Sequence, residues 1–466
     1  MLSLDYKHKF KKQNRSLSVK LKSNIITTSG YQSRIDSLKS STYPTDLKIN
    51  SKDKNGMLDI SGTYYEPLTQ NINSSFGLTT KINNNFFDKD AFDRITDSKD
   101  LINSASYSNN TLSNNAHLSL IYRKGDFSAK LTANAQSIST NRTESIPASI
   151  HDNRCFNHIS PSLEFNYEST LITLKGEYSE NQQIPSLLSL RNQIDNRNLM
   201  HLTAGNPDLR QSIIRQAQAS FSIMIPKLET SLSLSAEGSI TSDYISTKIL
   251  YFSAPTTLPN YEYTFPEGSD LSIPVNVDGK WNYRLNLSAS SRIGGISTTL
   301  TPSINYSVSN TPYFKGEVPY NLLSPSLSGA IYALCDFNNN ISLNLYAYYA
   351  NTDSKENGVS MLKTSNIMLN GTISFIILKR FTVFAQSNYA HMSYSNGFDP
   401  TENIDLSSSI EYRFGKEDNC AIQISANNIL NSIPQYGAFV NNDAVTNSIN
   451  YALGRNYSVS FSWRIK

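Results

Sequence analysis

The chain has 466 residues, of which 38% are hydrophobic and 17% charged, with a net charge of +3. This small, scattered positive charge argues against nucleic-acid binding, and a polar excess of Ser and Asn argues against a charged disordered chain. No apolar run approaches the roughly 18 residues of a transmembrane helix. An odd set of three cysteines (Cys155, Cys335 and Cys420) indicates no disulfide framework.

Short segments along the whole chain alternate apolar and polar residues, and this period of two predicts strands with two unlike faces. In the last segment Val459, Phe461 and Trp463 alternate with serines. We read about 19 such segments. The clearest are 16–22, 127–136, 163–167, 172–178, 228–236, 283–289, 341–349, 422–426 and 458–465. Without a helical interruption or a shift in composition, the pattern predicts one all-β domain over residues 1–466, a large antiparallel transmembrane β-barrel.

The connections between these segments alternate in length. Short turns are expected at 11–14, 67–71, 124–126, 168–169, 226–227, 294–295, 338–340, 379–380 and 415–418. Longer loops are expected near 24–55, 83–112, 140–158, 181–212, 251–276, 309–324, 351–363 and 428–455, and one of moderate length near 395–404. Antiparallel strands joined in this way place the short turns at one rim, the periplasmic one in bacterial barrels, and the long loops outside.

Strand parity gives an expectation about the ends of the chain. The first and last segments both run toward the short-turn rim, whereas single-chain bacterial barrels have an even strand number with both ends inside. We therefore expect at least one preceding strand to be missing, or three if the complete barrel has about 22 strands. The absence of a signal peptide pattern at Met1–Lys7 points the same way.

Pairs of aromatic residues occur where strands are expected to meet the membrane–water interface. These are Tyr64 and Tyr65, Tyr251 and Phe252, Tyr348 and Tyr349, and Tyr412 and Phe414. Amphipathic rings favour the headgroup level of a bilayer, but aromatic residues also favour strands in general. The two interpretations are left open.

Two stretches carry a family resemblance. The first is Gln183-Ile184-Pro185-Ser186, followed by Gly205-Asn206-Pro207-Asp208-Leu209. The second is Asn427-Asn428-Ile429-Leu430-Asn431, followed by Gly454-Arg455 before the last strand. Together they resemble strand-and-loop motifs in the barrels of TonB-dependent receptors, in the style of Bacteroidetes outer-membrane proteins. The plug domain and the TonB-recruiting segment of such receptors have no counterpart in the sequence.

The resemblance implies uptake of an unidentified small ligand across the outer membrane of a Gram-negative cell. It also implies contact with outer-membrane lipid, insertion by the barrel-assembly machinery, and coupling to TonB only if a plug domain is supplied upstream. The first motif has a conformational explanation as well, because Gly permits positive φ and Asn before Pro favours extended or turn backbone. On that basis we expect it to direct the chain into the next strand without contacting ligand.

No catalytic constellation is found, so we predict no enzyme activity, no cofactor and no nucleic-acid partner. His151, Cys155 and His158 lie in one predicted outer loop and are a weak candidate metal set without a fourth ligand. Asp88, Asp90 and Asp93 resemble half of a calcium loop.

A basic cluster surrounds the first short turn and is interpreted as a solvated turn or as a contact with anionic headgroups. It consists of Lys7, Lys9, Lys11, Lys12 and Arg15.

The sequence thus predicts the barrel portion of a TonB-dependent uptake receptor. Two alternatives stay open. One is a passive outer-membrane pore that closes by itself, and the other is a secreted structural or adhesive β-protein, for which fixed-length repeats would be expected.

Overall fold

The computed structural model describes residues 2–36, 45–94, 96–101, 104–146, 149–186, 188–190, 194–195, 198–259, 261, 263–294, 297–337, 340–395, 399–432, 435–441, 444–450 and 454–464. Across these residues the chain is almost entirely strand, with three-residue 3₁₀ turns as its helical elements. None of the described helices is long and apolar enough to cross a bilayer.

The described residues form 27 strands, numbered here in chain order. They are β1 (Leu2–Lys9), β2 (Ser16–Asp36), β3 (Thr45–Pro67), β4 (Ile72–Asp93), β5 (Ala105–Lys124), β6 (Phe127–Ile146), β7 (Ile150–Glu168), β8 (Ile172–Gln183), β9 (Ile194–Asp195), β10 (His201–Ala204), β11 (Ser212–Ile225), β12 (Thr230–Ser242), β13 (Tyr244–Tyr251), β14 (Thr256–Thr257), β15 (Thr264–Phe265), β16 (Asp270–Val277), β17 (Lys280–Ile293), β18 (Thr298–Lys315), β19 (Val318–Phe337), β20 (Ile341–Glu356), β21 (Val359–Ile377), β22 (Phe381–Tyr394), β23 (Thr401–Phe414), β24 (Cys420–Asn427), β25 (Gln435–Asn441), β26 (Ala444–Asn450) and β27 (Asn456–Trp463).

Nineteen of these strands form one antiparallel meander, which we call the wall. The wall comprises β1–β8, β11, β12, β17–β24 and β27, each paired with the next. Within the described part of the chain, β1 pairs only with β2 and β27 only with β24. The strand number agrees with the sequence prediction.

The wall has one apolar and one polar face because successive side chains of a strand point to opposite sides. One row of directly paired residues crosses five strands and is apolar and exposed: Leu174, Phe221, Leu234, Leu287 and Ile304. The row beside it is polar: Lys175, Ser220, Ser235, Asn286 and Asn305. Exposed apolar side chains along one whole face, with polar ones opposite, are typical of a barrel whose outer surface meets lipid.

The short turns occur where the sequence predicts them, although residues 295, 338 and 339 lie outside the described residues. We call this end of the wall the turn rim and the other end the outer rim. Most predicted long loops are wrong, because the strands continue through them. Residues 309–324, for example, form the tips of β18 and β19 around Gly316, and β6 and β7 occupy nearly all of 140–158.

The predicted strand ends also shift at two places. The chain over 228–229 belongs to a 3₁₀ turn, Pro226–Leu228, so β12 begins at Thr230 rather than 228. The last strand ends at Trp463, and residue 465 lies outside the described residues.

Beyond the outer rim, the chain of β12 continues as β13, and β16 leads back into β17, so that β13 and β16 form the upper part of the hairpin of β12 and β17. The two strands of this upper part have changed places relative to their neighbours. Below the exchange, β17 pairs with β18; above it, β13 pairs in parallel with β18 and β16 in parallel with β10. The exchange occurs where Asp243 and Gly279 take positive φ values of 50° and 99°. Strands β9, β10 and β13–β16 form what we call the outer subdomain.

The outer subdomain has its own apolar core. Its buried members are Leu202, Ala204, Phe252, Phe265 and Leu271. The rings of Phe252 and Phe265 stack at a centroid distance of 4.6 Å. Of the two interpretations left open for the aromatic pairs, the membrane interface does not apply to Phe252, because its ring packs inside this core.

At the turn rim, by contrast, aromatic rings do gather on the apolar face. Phe381 stacks on Tyr412 at 4.5 Å, and Phe414 contacts Phe461 at 6.5 Å. Tyr348 lies on the polar face and Tyr349 on the apolar face, because they are consecutive residues of one strand.

Candidate functional site

A row of five charged side chains and one glutamine crosses the polar face near the turn rim. Its members are directly paired on six neighbouring strands from β6 to β17, and we call them the charged row: Lys130, Glu164, Glu177, Gln218, Glu237 and Arg284. Lys130 Nζ lies 2.7 Å from Glu164 Oε1, and Gln218 Nε2 donates to Glu177 Oε2 at 2.7 Å. Arg284 lies 3.7 Å from Glu237. The row lines a cavity of about 430 Å³.

Two carboxylates of the charged row face each other directly. Glu164 on β7 pairs with Glu177 on β8 in the backbone register. Like charges at directly opposite positions destabilise a sheet, so this arrangement works against the stability of the wall. Lys175 and Arg123 also line the cavity and bring positive charge to its edge. The arrangement provides both anionic and cationic hydrogen-bonding groups for a polar solute.

Sequence reasoning missed the charged row, although a signal for it exists. Counted from the turn rim, Lys130 is the fourth residue of β6, Glu164 the fifth of β7 and Glu177 the sixth of β8. Because neighbouring strands of a meander are aligned by their turns, residues at equal distances from the turns reach the same height. Counting from the turns on the polar face would have identified the row.

The first family motif lies where β10 leads into β11, and Asn206 fixes its shape. Asn206 Nδ2 donates to the carbonyl of Pro274 on β16 at 3.0 Å, and its Oδ1 accepts from the backbone N–H of Asp208 at 2.9 Å. The second bond closes an Asx turn over Pro207. The side chain thus ties the motif to the outer subdomain.

Other members of the first motif are buried in the protein and do not extend into solvent. Pro185, Gly205 and Leu209 are buried, the last with 3% of its surface exposed. The backbone N–H of Arg210 donates to Asn276 Oδ1 at 2.7 Å, which continues the attachment to β16. These contacts support a structural role for the motif.

Replacing Asn206 by alanine removes both side-chain bonds and is expected to loosen the motif by about 1–3 kcal/mol. Hydrogen exchange of the segment 201–211 is expected to accelerate, while exchange in the wall strands stays unchanged. The Asp208→Ala variant is the matched control, because it keeps the Asn206 contact with Pro274. Equal exchange in the two variants would contradict a structural role for Asn206.

The second family motif is brought together in space across the last hairpin. Asn431 Oδ1 accepts from the backbone N–H of Arg455 at 3.0 Å, which joins its two halves. Asn427 Nδ2 donates to Asn456 Oδ1 at 2.9 Å, and the backbone N–H of Asn431 donates to the carbonyl of Asn428 at 2.9 Å. Asn428 and Asn431 both have positive φ, a conformation that Asn tolerates better than most residues. Gly454 precedes this junction. The motif therefore shapes the turn into β27.

The structure does not bring the three candidate metal ligands together. All lie on β7, where alternation places His151 and Cys155 on one face and His158 on the other. His158 Nε2 lies 2.9 Å from Glu180 Oε1, and Arg215 Nε lies 2.8 Å from Glu180 Oε2. Among the described residues, no group of three His, Cys, Asp or Glu side chains is arranged to hold a metal ion.

The contact of His158 with Glu180 lies at an opening between two wall strands. Strands β7 and β8 pair only over Ser162–Glu168 and Thr173–Ser179. Above Ser162 the contact of His158 with Glu180 connects the two strands, and Gln211, in the segment before β11, donates through Nε2 to the carbonyl of Asn157 at 3.2 Å. We call residues 150–161 of β7 and 180–183 of β8 the seam.

The acidic and basic clusters of the sequence make ordinary contacts. Asp90 pairs with Lys99, and Asp93 Oδ1 accepts from the backbone N–H of Thr96 at 2.9 Å. In the first turn, Lys12 Nζ and Arg15 Nε lie 2.6 and 2.7 Å from the carboxylate oxygens of Glu66. These two cations of the predicted cluster thus stabilise the turn rim through one carboxylate.

Beyond the outer rim, the tips of β18 and β20 are joined by a buried phenol. Tyr313 has 1% of its surface exposed, and its hydroxyl donates to Glu356, which also lies 2.7 Å from Lys315. A strand crosses the bilayer in about 9–11 residues, so these groups lie above the spanning part. Burial opposes ionisation of Glu356, but bonds from Lys315 and Tyr313 outweigh it and lower its pKa below 4.5. Burial and the bond to Glu356 raise the pKa of Tyr313 above 10.0.

These shifts predict a pH window for the tips of β18 and β20. Because the pKa of Glu356 is lowered on folding, its contribution is complete above pH 4.5 and is lost as the pH falls through the lowered value. Because the pKa of Tyr313 is raised, its contribution is complete below pH 10.0 and is lost above. We expect hydrogen exchange at the tips, corrected for intrinsic rates, to accelerate below and above this window. The Glu356→Gln variant should lose the acidic dependence; an unchanged acid response would contradict the assignment.

The chain matches one protein family and several solved structures. Residues 8–329 match the outer membrane protein beta-barrel family. The copper transporter OprC is 10% identical over 99% of this chain and 79% of its own, with a TM-score of 0.49. BauA, the ferric preacinetobactin receptor from Acinetobacter baumannii, is 11% identical over 99% of this chain and 71% of its own, with a TM-score of 0.47. The outer membrane transporter YddB from Escherichia coli is 9% identical, covering 99% and 74%, with a TM-score of 0.46.

No curated protein matches the chain. The family match extends over more than half of the sequence and includes the strands that carry the charged row and the first motif. It agrees with an antiparallel wall that has one apolar and one polar face. The chain therefore belongs to the outer membrane protein beta-barrel family.

Proposed function

We propose that this outer-membrane chain forms the barrel of an uptake receptor that carries a small solute inward, with energy supplied through TonB. The charged row is the observation that carries the proposal. Its opposed carboxylates, Glu164 and Glu177, weaken the wall yet line a cavity on the polar face. A feature that costs stability and faces the lumen fits contact with a moving partner or solute better than a structural role.

The resemblance of the two motifs to TonB-dependent receptors supports this mechanism. In the proposal, residues 1–466 form one barrel domain whose apolar face contacts outer-membrane lipid. The barrel-assembly machinery inserts it, TonB acts through a plug domain inside the barrel, and a small solute passes along the polar face. The proposal assigns the chain no catalytic step, no cofactor and no nucleic-acid partner.

The proposal is tested by comparing solute uptake in cells that lack this protein, lack TonB, or lack both. Uptake of the same solute is expected to fall in all three, with no further loss in the double deletion. The double variant Glu164→Gln/Glu177→Gln should lower this uptake without lowering the amount of folded barrel. Glu229→Gln at the turn rim is the matched control, because Glu229 is exposed and lies outside the cavity.

A passive pore is the competing function, and two results would favour it over uptake through TonB. One is a solute flux that is unaffected by loss of TonB. The other is a steady conductance of the purified chain in planar bilayers, with an ion selectivity that changes in the Glu164→Gln/Glu177→Gln variant.

A further inference from the structure

A second row of side chains on the polar face lies on other strands than the charged row and is formed by amides, a tyrosine and one carboxylate. Tyr346, Asn370, Asn388 and Asp405 are directly paired on β20, β21, β22 and β23, and we call them the amide–tyrosine row. Residues of opposite parity on these strands, such as Leu345, are exposed and apolar. The row therefore belongs to the face that lines the lumen.

The row borders a cavity of about 560 Å³ in which asparagine is the most frequent lining residue. The polar lining consists of Asn370, Asn388, Asn403, Asp405, Ser407, Asn427, Asn428, Ser432 and Asn456, with Tyr389. Among the described residues of this lining, Asp405 is the one with a formal charge. Its Oδ1 atom is buried and accepts no hydrogen bond from the described residues. A buried carboxylate oxygen without a donor is costly, so the Asp405 side chain would gain by turning this oxygen toward a donor in the cavity.

Two tyrosines stand next to this cavity. Tyr346 is the β20 member of the row, and Tyr348 pairs with Met368, which lines the cavity. The two rings are nearly parallel, with an interplanar angle of 9° and a centroid distance of 6.3 Å. They present aromatic surface beside a line of hydrogen-bonding groups.

This combination selects a class of ligand by its chemistry. A sugar ring has hydroxyl groups at its edge, which amides and a carboxylate recognise, and a C–H face, which packs on an aromatic ring. Neighbouring strands are about 4.8 Å apart, so side chains on adjacent strands reach successive hydroxyl groups. An anionic chelate would meet a carboxylate and no cation in the lining. A peptide would need free backbone groups, whereas β20, β21 and β22 are paired on both sides at the row.

We infer that the amide–tyrosine row binds a neutral oligosaccharide, with Asp405 and Asn388 as hydrogen-bonding groups and Tyr346 and Tyr348 as the stacking surface. The inference rests on the proposed uptake function and specifies its solute class. In this arrangement Asp405 accepts from a sugar hydroxyl through its otherwise unpaired oxygen.

The test is calorimetric titration of the full chain, purified in lauryldimethylamine oxide, with maltohexaose, cellohexaose and mannohexaose. We expect saturable binding of at least one of them. Hexaglycine and hexagalacturonic acid are the comparison probes for a peptide and for an anionic sugar. Binding of either probe more tightly than every neutral sugar overturns the inference, as does the absence of binding by all three hexasaccharides.

Variants assign the binding to the row. Asp405→Leu and the pair Tyr346→Ala/Tyr348→Ala are each expected to raise Kd about tenfold or more. The pair Tyr346→Phe/Tyr348→Phe keeps the stacking surface and should bind nearly as the parent does. Asn286→Ala, on the polar face outside both cavities, is the matched control and should leave Kd unchanged. Unchanged affinity in both Asp405→Leu and the alanine pair would overturn the assignment.

If a variant fails to fold, Asp405→Asn and the single substitutions Tyr346→Ala and Tyr348→Ala allow the same comparison of Kd with less disturbance of the structure. The outcomes also separate this inference from the uptake proposal. Sugar binding without TonB-dependent transport supports the inference and contradicts the proposal. Uptake of another solute through TonB, without hexasaccharide binding, does the reverse.

Discussion

Replacing Leu287 by arginine is expected to destabilise the barrel by about 2–4 kcal/mol and to reduce the folded protein in the outer membrane. Leu287 lies halfway along β17 on the apolar face, with Leu234 and Ile304 directly paired on either side. A guanidinium at this position would be placed in the hydrocarbon layer, which is most costly near the middle of the bilayer. Urea unfolding in lipid vesicles measures the change.

The neighbouring residue provides the control for this prediction. Asn286 lies on the polar face between Ser235 and Asn305, at nearly the same height. Asn286→Arg is therefore expected to change the unfolding free energy by less than about 1 kcal/mol, because the added charge faces the lumen. If both arginine variants destabilise the barrel equally, the assignment of the two faces is wrong.

Replacing Phe265 by alanine is expected to unfold the outer subdomain locally, at a cost of about 3–5 kcal/mol, and to leave the wall intact. Phe265 is fully buried, stacks on Phe252, and meets the edges of Tyr261 and Tyr263 at centroid distances of 6.2 and 5.2 Å. Its removal leaves a cavity at the centre of a small core, which has few other apolar contacts to compensate. Hydrogen exchange resolved by segment measures the effect.

A control from the same hairpin tests whether this effect comes from the core. Thr257 is exposed and pairs with Thr264, next to Phe265. Thr257→Ala should leave exchange in β10, β13 and β16 unchanged, whereas Phe265→Ala should raise it there. If Phe265→Ala instead unfolds the wall together with the subdomain, the two parts form one cooperative unit, and the prediction fails.

The spanning part of the wall could be predicted from the sequence because lipid imposes a strict pattern on it. Where a strand crosses the bilayer, one face must be apolar. Apolar residues at every second position, such as Leu285, Leu287 and Ala289, indicate such a strand in the sequence. The turn-rim connections were equally readable, since a connection of two to five residues between antiparallel strands leaves few alternatives.

The outer parts of the strands could not be predicted in the same way. Above the bilayer neither face meets lipid, so polar residues occupy both faces and the alternation disappears. Residues 48–55 and 83–90 are mostly Asn, Lys, Asp and Ser, yet they pair in register because the backbone ladder continues without regard to side-chain type. The sequence pattern is typical of a loop, and only the pairing partner distinguishes it from a strand.

The candidate sites also differ in whether local sequence or strand pairing defines them. The two family motifs were identified from local residues, but the bond from Arg455 to Asn431 crosses a long connection that the pattern does not specify. The amide–tyrosine row depends on register across four strands, and no local window contains Tyr346 and Asp405 together. Sites formed by rows across a sheet require the pairing before they can be recognised.

The seam makes the wall mechanically uneven. Most neighbouring long strands are fastened by backbone hydrogen bonds along their length, but the outer part of β7 is connected to β8 by side-chain contacts such as that of His158 with Glu180. A single contact of this kind contributes about 1 kcal/mol or less, whereas the bonds of a ladder must be broken together. We therefore expect the width of the sheet to fluctuate more at the seam than between neighbours joined by a full ladder, with the strands on either side moving together as stiff panels.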